Sequence, residues 1–195
     1  MARYTEGHKQ NTRDRILRHA AALLENKAEC PPRIQQVMAH AGLTHGAFYA
    51  HFRSKADFLS AALDEALEAA EAGWRDLIAS APAGRQLEAL VEACLVGGDD
   101  PLASGGQATL MLDIPRTIAC ARERIAARDR RMVARIARHL PAGGQGPERA
   151  ERAHMIFAAI VGTREILRAE PAQAQARRAR LRGILALANR PWRPA

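Results

Sequence analysis

The stretch GLTHGAFYAHFRSK, residues 42–55, presents His45, Tyr49, His51, Arg53 and Lys55 without a single Asp or Glu. Such a surface suits an extended anion. Phe48 and Phe52 stand four apart and fall on one side of a short helix, leaving His45, Gly46 and Tyr49 on another. Thr44 is placed to cap that helix. Gly42 is placed to end the preceding one, because glycine readily adopts the left-handed conformation of a helix stop. Before it, Ile34, Val37, Met38 and Ala41 mark one face of a helix of about two turns. Two short helices meeting at AGL, with a longer helix ahead of them, are the parts of a helix-turn-helix, whose second helix enters the major groove of DNA.

Working outward, Ile16, Ala20, Leu23 and Leu24 predict a first helix over residues 12–27, with Asn11 or Thr12 as its cap and Asp14 near the positive end of its dipole. Downstream, Ser54 caps a long helix with Asp57 three residues later. Leu59, Ala62, Leu63, Ala66, Ala70, Trp74 and Leu77 form its buried stripe, to about Ser80. Further helices are predicted over residues 87–95 and 107–113, then from Pro115 to about Leu140, then over 148–169 and 172–189. The expected fold is all-α, with about nine helices. Residues 1–55 form a three-helix DNA-binding module and residues 56–195 a helical domain for ligand binding and dimerisation.

The roles within the module follow from geometry. Phe48 and Phe52 anchor the second short helix to the core, so His45, Gly46, Ala47 and Tyr49 lie nearest the DNA. His45 and Ala47 are the base readers, Ala47 against a thymine methyl, while Gly46 lets the backbone approach closely. Lys55, Thr44 and Tyr49 are suited to phosphate, and a carboxylate in the groove would repel it. His51 reads either as a packing histidine or as a phosphate contact.

Composition agrees with this. Of 195 residues 48% are hydrophobic but only 4% aromatic, the composition of a helical chain rich in Ala and Leu. Net charge is +8. The first 60 residues carry nine Lys and Arg against five Asp and Glu, and the other 135 carry twenty against sixteen. Positive charge is therefore densest where a polyanion would bind. Cys30, Cys94 and Cys120 are odd in number and lack CxxC spacing, which implies neither a disulfide framework nor zinc, and a cytoplasmic setting is expected. No apolar run approaches the roughly 20 residues of a membrane span. No cofactor is implied, and the chain lacks HExxH, GxSxG, a glycine-rich phosphate loop or paired carboxylates on a helix face, so an enzyme is not expected.

The run VMAHAGLTHGAFYAHFRSKADFL, residues 37–59, resembles the signature of TetR-family transcriptional regulators: AG, a capping Ser or Thr, Gly, Tyr, HF and SK across the helix-turn-helix and the start of the fourth helix. The resemblance covers roughly residues 12–65. It implies that Thr44, His45, Gly46, Ala47, Tyr49, His51 and Lys55 lie at or near DNA. It further implies a homodimeric repressor, released from its operator by a small-molecule effector, whose last two helices form a four-helix bundle with the partner subunit. This chain departs from the family where the second helix begins. Pro32 and Arg33 replace the usual capping Ser or Thr, so Arg33 becomes the candidate for a phosphate contact there.

In the C-terminal part, HMIFAAIVG is apolar on nearly all sides, which a helix exposed at a monomer's edge could not sustain in water. Ala158 and Gly162, four apart, would admit a close partner helix, and Val161, Leu181, Ile184 and Leu185 complete the expected dimer interface. A ligand pocket is expected among Trp74, Met111, Ile118, Met132 and Phe157, for an aromatic, fatty acyl or cationic ligand. The seven arginines between Arg122 and Arg138 read as a solvated helix face, because Glu123 and Asp129 interrupt them. An architectural DNA-binding protein without a ligand is the alternative, and the long second domain speaks against it.

Overall fold

The computed structural model describes residues 6–25, 33–96, 121–141, 146–169 and 174–189, and these are helical with short connections. The chain is all-α. In order come α1 (Glu6–Glu25), α2 (Ile34–His40), a 3₁₀ helix (His45–Ala50), α3 (Lys55–Ser80), α4 (Gln86–Val96), α5 (Ala121–His139), α6 (Pro147–Ala169) and α7 (Ala174–Asn189). The helix expected over residues 107–113 and the first part of the one expected from Pro115 lie outside the described residues, as do Met111 and Ile118. Two compact units emerge, one from Met1–Glu71 with Thr109–Arg124, the other from Ala72–Ala108 with Ile125–Ala195. Both α3 and α5 contribute to each unit.

In the first unit, α1 buries Ile16, Leu17, Ala20, Ala21 and Leu24. It starts at Glu6, earlier than the expected cap at Asn11 or Thr12. The polar segment ahead of Thr12 continues the helix because it contains no proline and gains a rung of its own, Gln10 Nε2 donating to Asp14 Oδ1 at 2.7 Å. Thr12 is therefore a mid-helix residue, and its hydroxyl donates back to the His8 carbonyl at 2.9 Å.

Helix α2 ends where glycine permits it. Gly42 has φ +67°, its N–H donates to the Ala39 carbonyl, and the Leu43 N–H donates to the Met38 carbonyl at 2.8 Å. These paired bonds satisfy carbonyls that the helix end would otherwise orphan. Gly42→Ala should thus cost about 1–2 kcal/mol from the left-handed backbone alone, although nothing stands within 4 Å of an added Cβ. Chemical denaturation measures it, and an unchanged midpoint would show that the turn relaxes.

Helix α3 starts as its sequence predicts. Ser54 Oγ accepts from the Asp57 N–H at 3.1 Å, and Asp57 Oδ2 accepts from the Arg53 N–H at 3.0 Å. Two free donors at the helix start are satisfied reciprocally.

The second unit packs α4 against α6 and α7, and α6 against α7. Its core includes Trp74, Leu90, Val91, Ile136, Ile156, Ile160, Leu181 and Ile184. Arginine closes two helix ends. Arg149 donates to the carbonyls of Ala137 in the last turn of α5 and of Leu140 and Pro141 just after it, and Arg152 to that of Ala188 near the end of α7. Both place a cation at the negative pole of a helix. Among the described residues no helix is long and apolar enough to cross a membrane.

Candidate nucleic-acid interface

The segment between Gly42 and Ser54 is held from beneath by phenylalanine. Phe48, Phe52 and Phe58 are 0–2% exposed, and their ring centroids lie 5.1–5.4 Å apart. Two of the three pairs meet edge to face, the arrangement favoured by the ring quadrupoles. Arg13 on α1 fastens the exit of the segment. Its guanidinium stands 4.4 Å from the Phe52 ring centre, and its Nη1 donates to the His51 carbonyl at 2.9 Å.

This anchoring leaves the opposite side in solvent. Thr44, His45, Gly46, Tyr49 and Lys55 are exposed, as is Arg33 at the start of α2, and Ala47 is half-buried. Tyr49 is 68% exposed, an unusual cost for so large an apolar ring. An added Cβ at Gly46 would meet nothing within 4 Å, so the chain's own packing does not demand glycine there.

The recognition segment is a 3₁₀ helix, tighter than the α-helix its spacing suggests. Thr44 occupies the N-cap position with extended backbone but makes no side-chain cap bond. Its backbone carbonyl instead accepts from the Ala47 N–H at 3.1 Å, and that of Phe48 from the His51 N–H at 3.0 Å. Six residues that include glycine and two aromatics have little intrinsic helix propensity, and without a cap the tighter i to i+3 bonding prevails. Arg33 likewise sits at an N-cap without a cap bond from its side chain.

His51 is half-buried, and its Nδ1 is enclosed without a hydrogen-bond partner. Burial lowers its pKa below the usual histidine value, and the charges of Lys9 and Arg13 lower it further. Lys9 and Arg13 stand four apart on α1. Lys9 lies outside the helix expected over residues 12–27, and Arg13, though inside it, carries no local pattern that marks its contacts with Phe52 and the His51 carbonyl.

Other expected residues are placed as follows. Trp74 and Met132 are buried in the core of the second unit, and Phe157 is half-buried against it. On α6, Ala158 and Gly162 are exposed and Val161 is half-buried; on α7, Leu181 and Ile184 are buried and Leu185 is half-buried. Exposed Met155 and Ile166 extend the α6 stripe, and Leu187 is exposed on α7. Cys94 is buried, which pushes its thiol up to about 11 and leaves it an inert apolar side chain.

Comparison with known proteins agrees with this arrangement. Residues 16–62 match the family model of bacterial regulatory proteins, tetR family. No curated protein matches the chain significantly. Among solved structures, a TetR transcriptional regulator from Chloroflexus aurantiacus J-10-FL superposes with a TM-score of 0.75 at 24% identity, covering 96% of this chain and 98% of its own. A transcriptional regulator from Rhodococcus sp. Rha1 gives 0.74 at 17% identity over 90% and 95%. A TetR-family transcriptional regulator from Streptomyces coelicolor gives 0.70 at 19% over 96% and 95%. The fold is shared along nearly the whole length, and the matched segment coincides with the phenylalanine-anchored turn and its exposed face. Over residues 16–62 the chain is thus similar to the bacterial regulatory proteins of the tetR family, and along nearly its whole length it shares the all-α fold of these solved regulators.

Proposed function

We propose that the protein is a homodimeric transcriptional repressor that reads a palindromic operator in two successive major grooves and leaves it when a small molecule binds the second unit. The observation that carries this reading is the solvent-facing set of Thr44, His45, Gly46 and Tyr49 above the buried Phe48, Phe52 and Phe58. His45 and Ala47 read bases, while Arg33, Thr44, Tyr49, His51 and Lys55 hold phosphate. Residues 1–55 act as the DNA-binding module and residues 56–195 dimerise and sense, in the cytoplasm where the operator is accessible.

Helix α3 is the lever. It begins directly after the recognition segment and continues to Ser80, and Arg124 at the start of α5 reaches its Ser60 hydroxyl and Asp64 carboxylate, the latter at 3.2 Å. A ligand that favours one setting of α5 can thereby bias α3.

The test begins with selection of genomic fragments by the purified protein and titration of the enriched site at several salt concentrations. An enriched palindrome with a steep salt slope is expected. Lys55→Ala should weaken binding to all sequences and flatten that slope by about one unit, whereas His45→Ala should chiefly relax preference at one base position. Equal losses on every sequence for His45→Ala would remove it from base reading.

His51 adds a pH signature. Free protein keeps it neutral to below the ordinary histidine pKa, whereas a neighbouring phosphate favours the imidazolium. The complex then takes up a proton, so operator affinity rises as pH falls from 8 to 6, by about threefold more in wild type than in His51→Gln. Identical pH profiles would make His51 a packing residue.

A further inference from the structure

Within the first unit, α1 packs against α2, and α2 packs against the 3₁₀ helix that follows it. Arg13 adds a direct tie from α1 to the far end of that 3₁₀ helix, across 38 residues of sequence. It stands three residues ahead of the fully buried Ile16, so the packing of α1 fixes its root.

The guanidinium is used on its edge and on its face. Nη1 donates to the His51 carbonyl at 2.9 Å, while the centre of the group stands 4.4 Å from the centre of the Phe52 ring. His51 is the C-cap of the 3₁₀ helix, where carbonyls lack partners inside the helix and the dipole is negative. A guanidinium there makes a charge-assisted hydrogen bond, stronger than one between neutral groups. Phe52 is 2% exposed and packs on Phe48 and Phe58, so Arg13 grips the backbone and the aromatic core together.

The start of the segment has no comparable fastening, since Thr44 makes no side-chain cap bond. A short 3₁₀ helix has little stability of its own. The setting of exposed His45, Gly46 and Tyr49 against α1 therefore depends on what holds the segment from beneath and at its exit. A cation in a DNA-binding unit usually reads as a phosphate contact. Arg13 is instead half-buried, with its guanidinium committed to Phe52 and His51.

We propose that Arg13 is a positioning residue for operator binding, which touches no DNA and sets the fraction of molecules whose recognition segment is placed for the groove. This inference rests on the reading of residues 42–55 as the DNA-contacting surface. Apparent affinity falls in proportion to that fraction, whereas the salt dependence of binding counts the phosphates neutralised. Loss of a positioning cation lowers affinity and leaves the salt slope as it was. Loss of a phosphate-holding cation changes both.

The test sets Arg13→Met, which keeps an apolar stem without the charge or the donors, beside wild type and Lys55→Ala. Each full chain is titrated with the enriched operator over the same salt series, at a temperature where circular dichroism shows it folded. Arg13→Met should bind at least about tenfold more weakly at an unchanged slope, while Lys55→Ala flattens the slope by about one unit. A second readout needs no DNA. Lys9 and Arg13 are the charges of α1 that disfavour protonation of the His51 ring, so with Lys9 retained His51 should titrate at higher pH in Arg13→Met than in wild type by proton NMR. A slope flattened by about one unit in Arg13→Met would make Arg13 a phosphate contact, and wild-type affinity in the folded variant would reduce its bonds to a role in stability. An unmoved His51 titration would separate the guanidinium from that ring. Each of these results overturns the proposal. If Arg13→Met fails to fold, Arg13→Lys keeps the charge without the planar fork. Binding at least about threefold weaker at an unchanged slope then upholds the proposal, and wild-type affinity overturns it. A wild-type chain that enriches no operator strikes the DNA-binding reading and this inference with it. Equal binding by wild type and the variants strikes the inference alone.

Discussion

Phe48→Ala lowers the stability of the DNA-binding unit by about 3–5 kcal/mol and abolishes operator binding. The side chain is fully buried, and its loss opens a cavity between Phe52 and Phe58, whose rings both contact it. Against a total of about 5–15 kcal/mol for a typical domain, this is a large share. The recognition segment feels the loss first, because its 3₁₀ helix has no side-chain cap bond and depends on the aromatic cluster for its position. Tyr49→Ala is the counterpart. Its ring is largely in solvent, so stability should change by about 0.5 kcal/mol or less, while operator affinity should fall on the proposed assignment of Tyr49 to phosphate. Denaturation curves and operator titrations on the two variants separate the roles. A Phe48→Ala protein with an unchanged midpoint, or a Tyr49→Ala protein with full affinity, would show that the two sides of the segment have been assigned in reverse.

Much of this was legible from local chemistry. Phe48 and Phe52 at i and i+4, Gly42 after an apolar run, and Ser54 followed by Asp57 each specify a contact within a few residues, and each contact is present. What escaped was set by partners distant in sequence. Arg13 meets Phe52 and the His51 carbonyl across 38 residues, and no pattern in α1 announces it. Thr44 looks like a cap in isolation, yet the tighter 3₁₀ turn satisfies its neighbours through backbone bonds. The arginines of α5 read as one solvated face, and most are exposed or half-buried, but Arg128 is 2% exposed. Its position in the helix sets it beside Met132 on the inward side, and charge composition carries no information about that.

The second large effect concerns dimerisation. Met155 and Ile166 are each 52% exposed, and with Ala158 and Gly162 they follow helical spacing along α6. An added Cβ at Gly162 would meet nothing within 4 Å, so the backbone there stands open to close approach. On α7, exposed Ala179, Gly183 and Leu187 stand four apart in turn. Leu181 and Ile184 already fill their own subunit's core, so the surface we propose for a second copy is the stripe of Met155, Ala158, Gly162 and Ile166 with that of Ala179, Gly183 and Leu187. Replacing Met155 and Ile166 together by Glu introduces two charges on this surface while removing little from the monomer's core. The variant should keep its helicity, sediment as a monomer, and lose operator affinity by at least about a hundredfold, because each recognition segment then binds its half-site without the effective concentration that pairing supplies. Binding to a single half-site should be unaffected. A variant that still sediments as a dimer would place the interface elsewhere, and a monomer with undiminished operator affinity would show that one subunit reads the site alone.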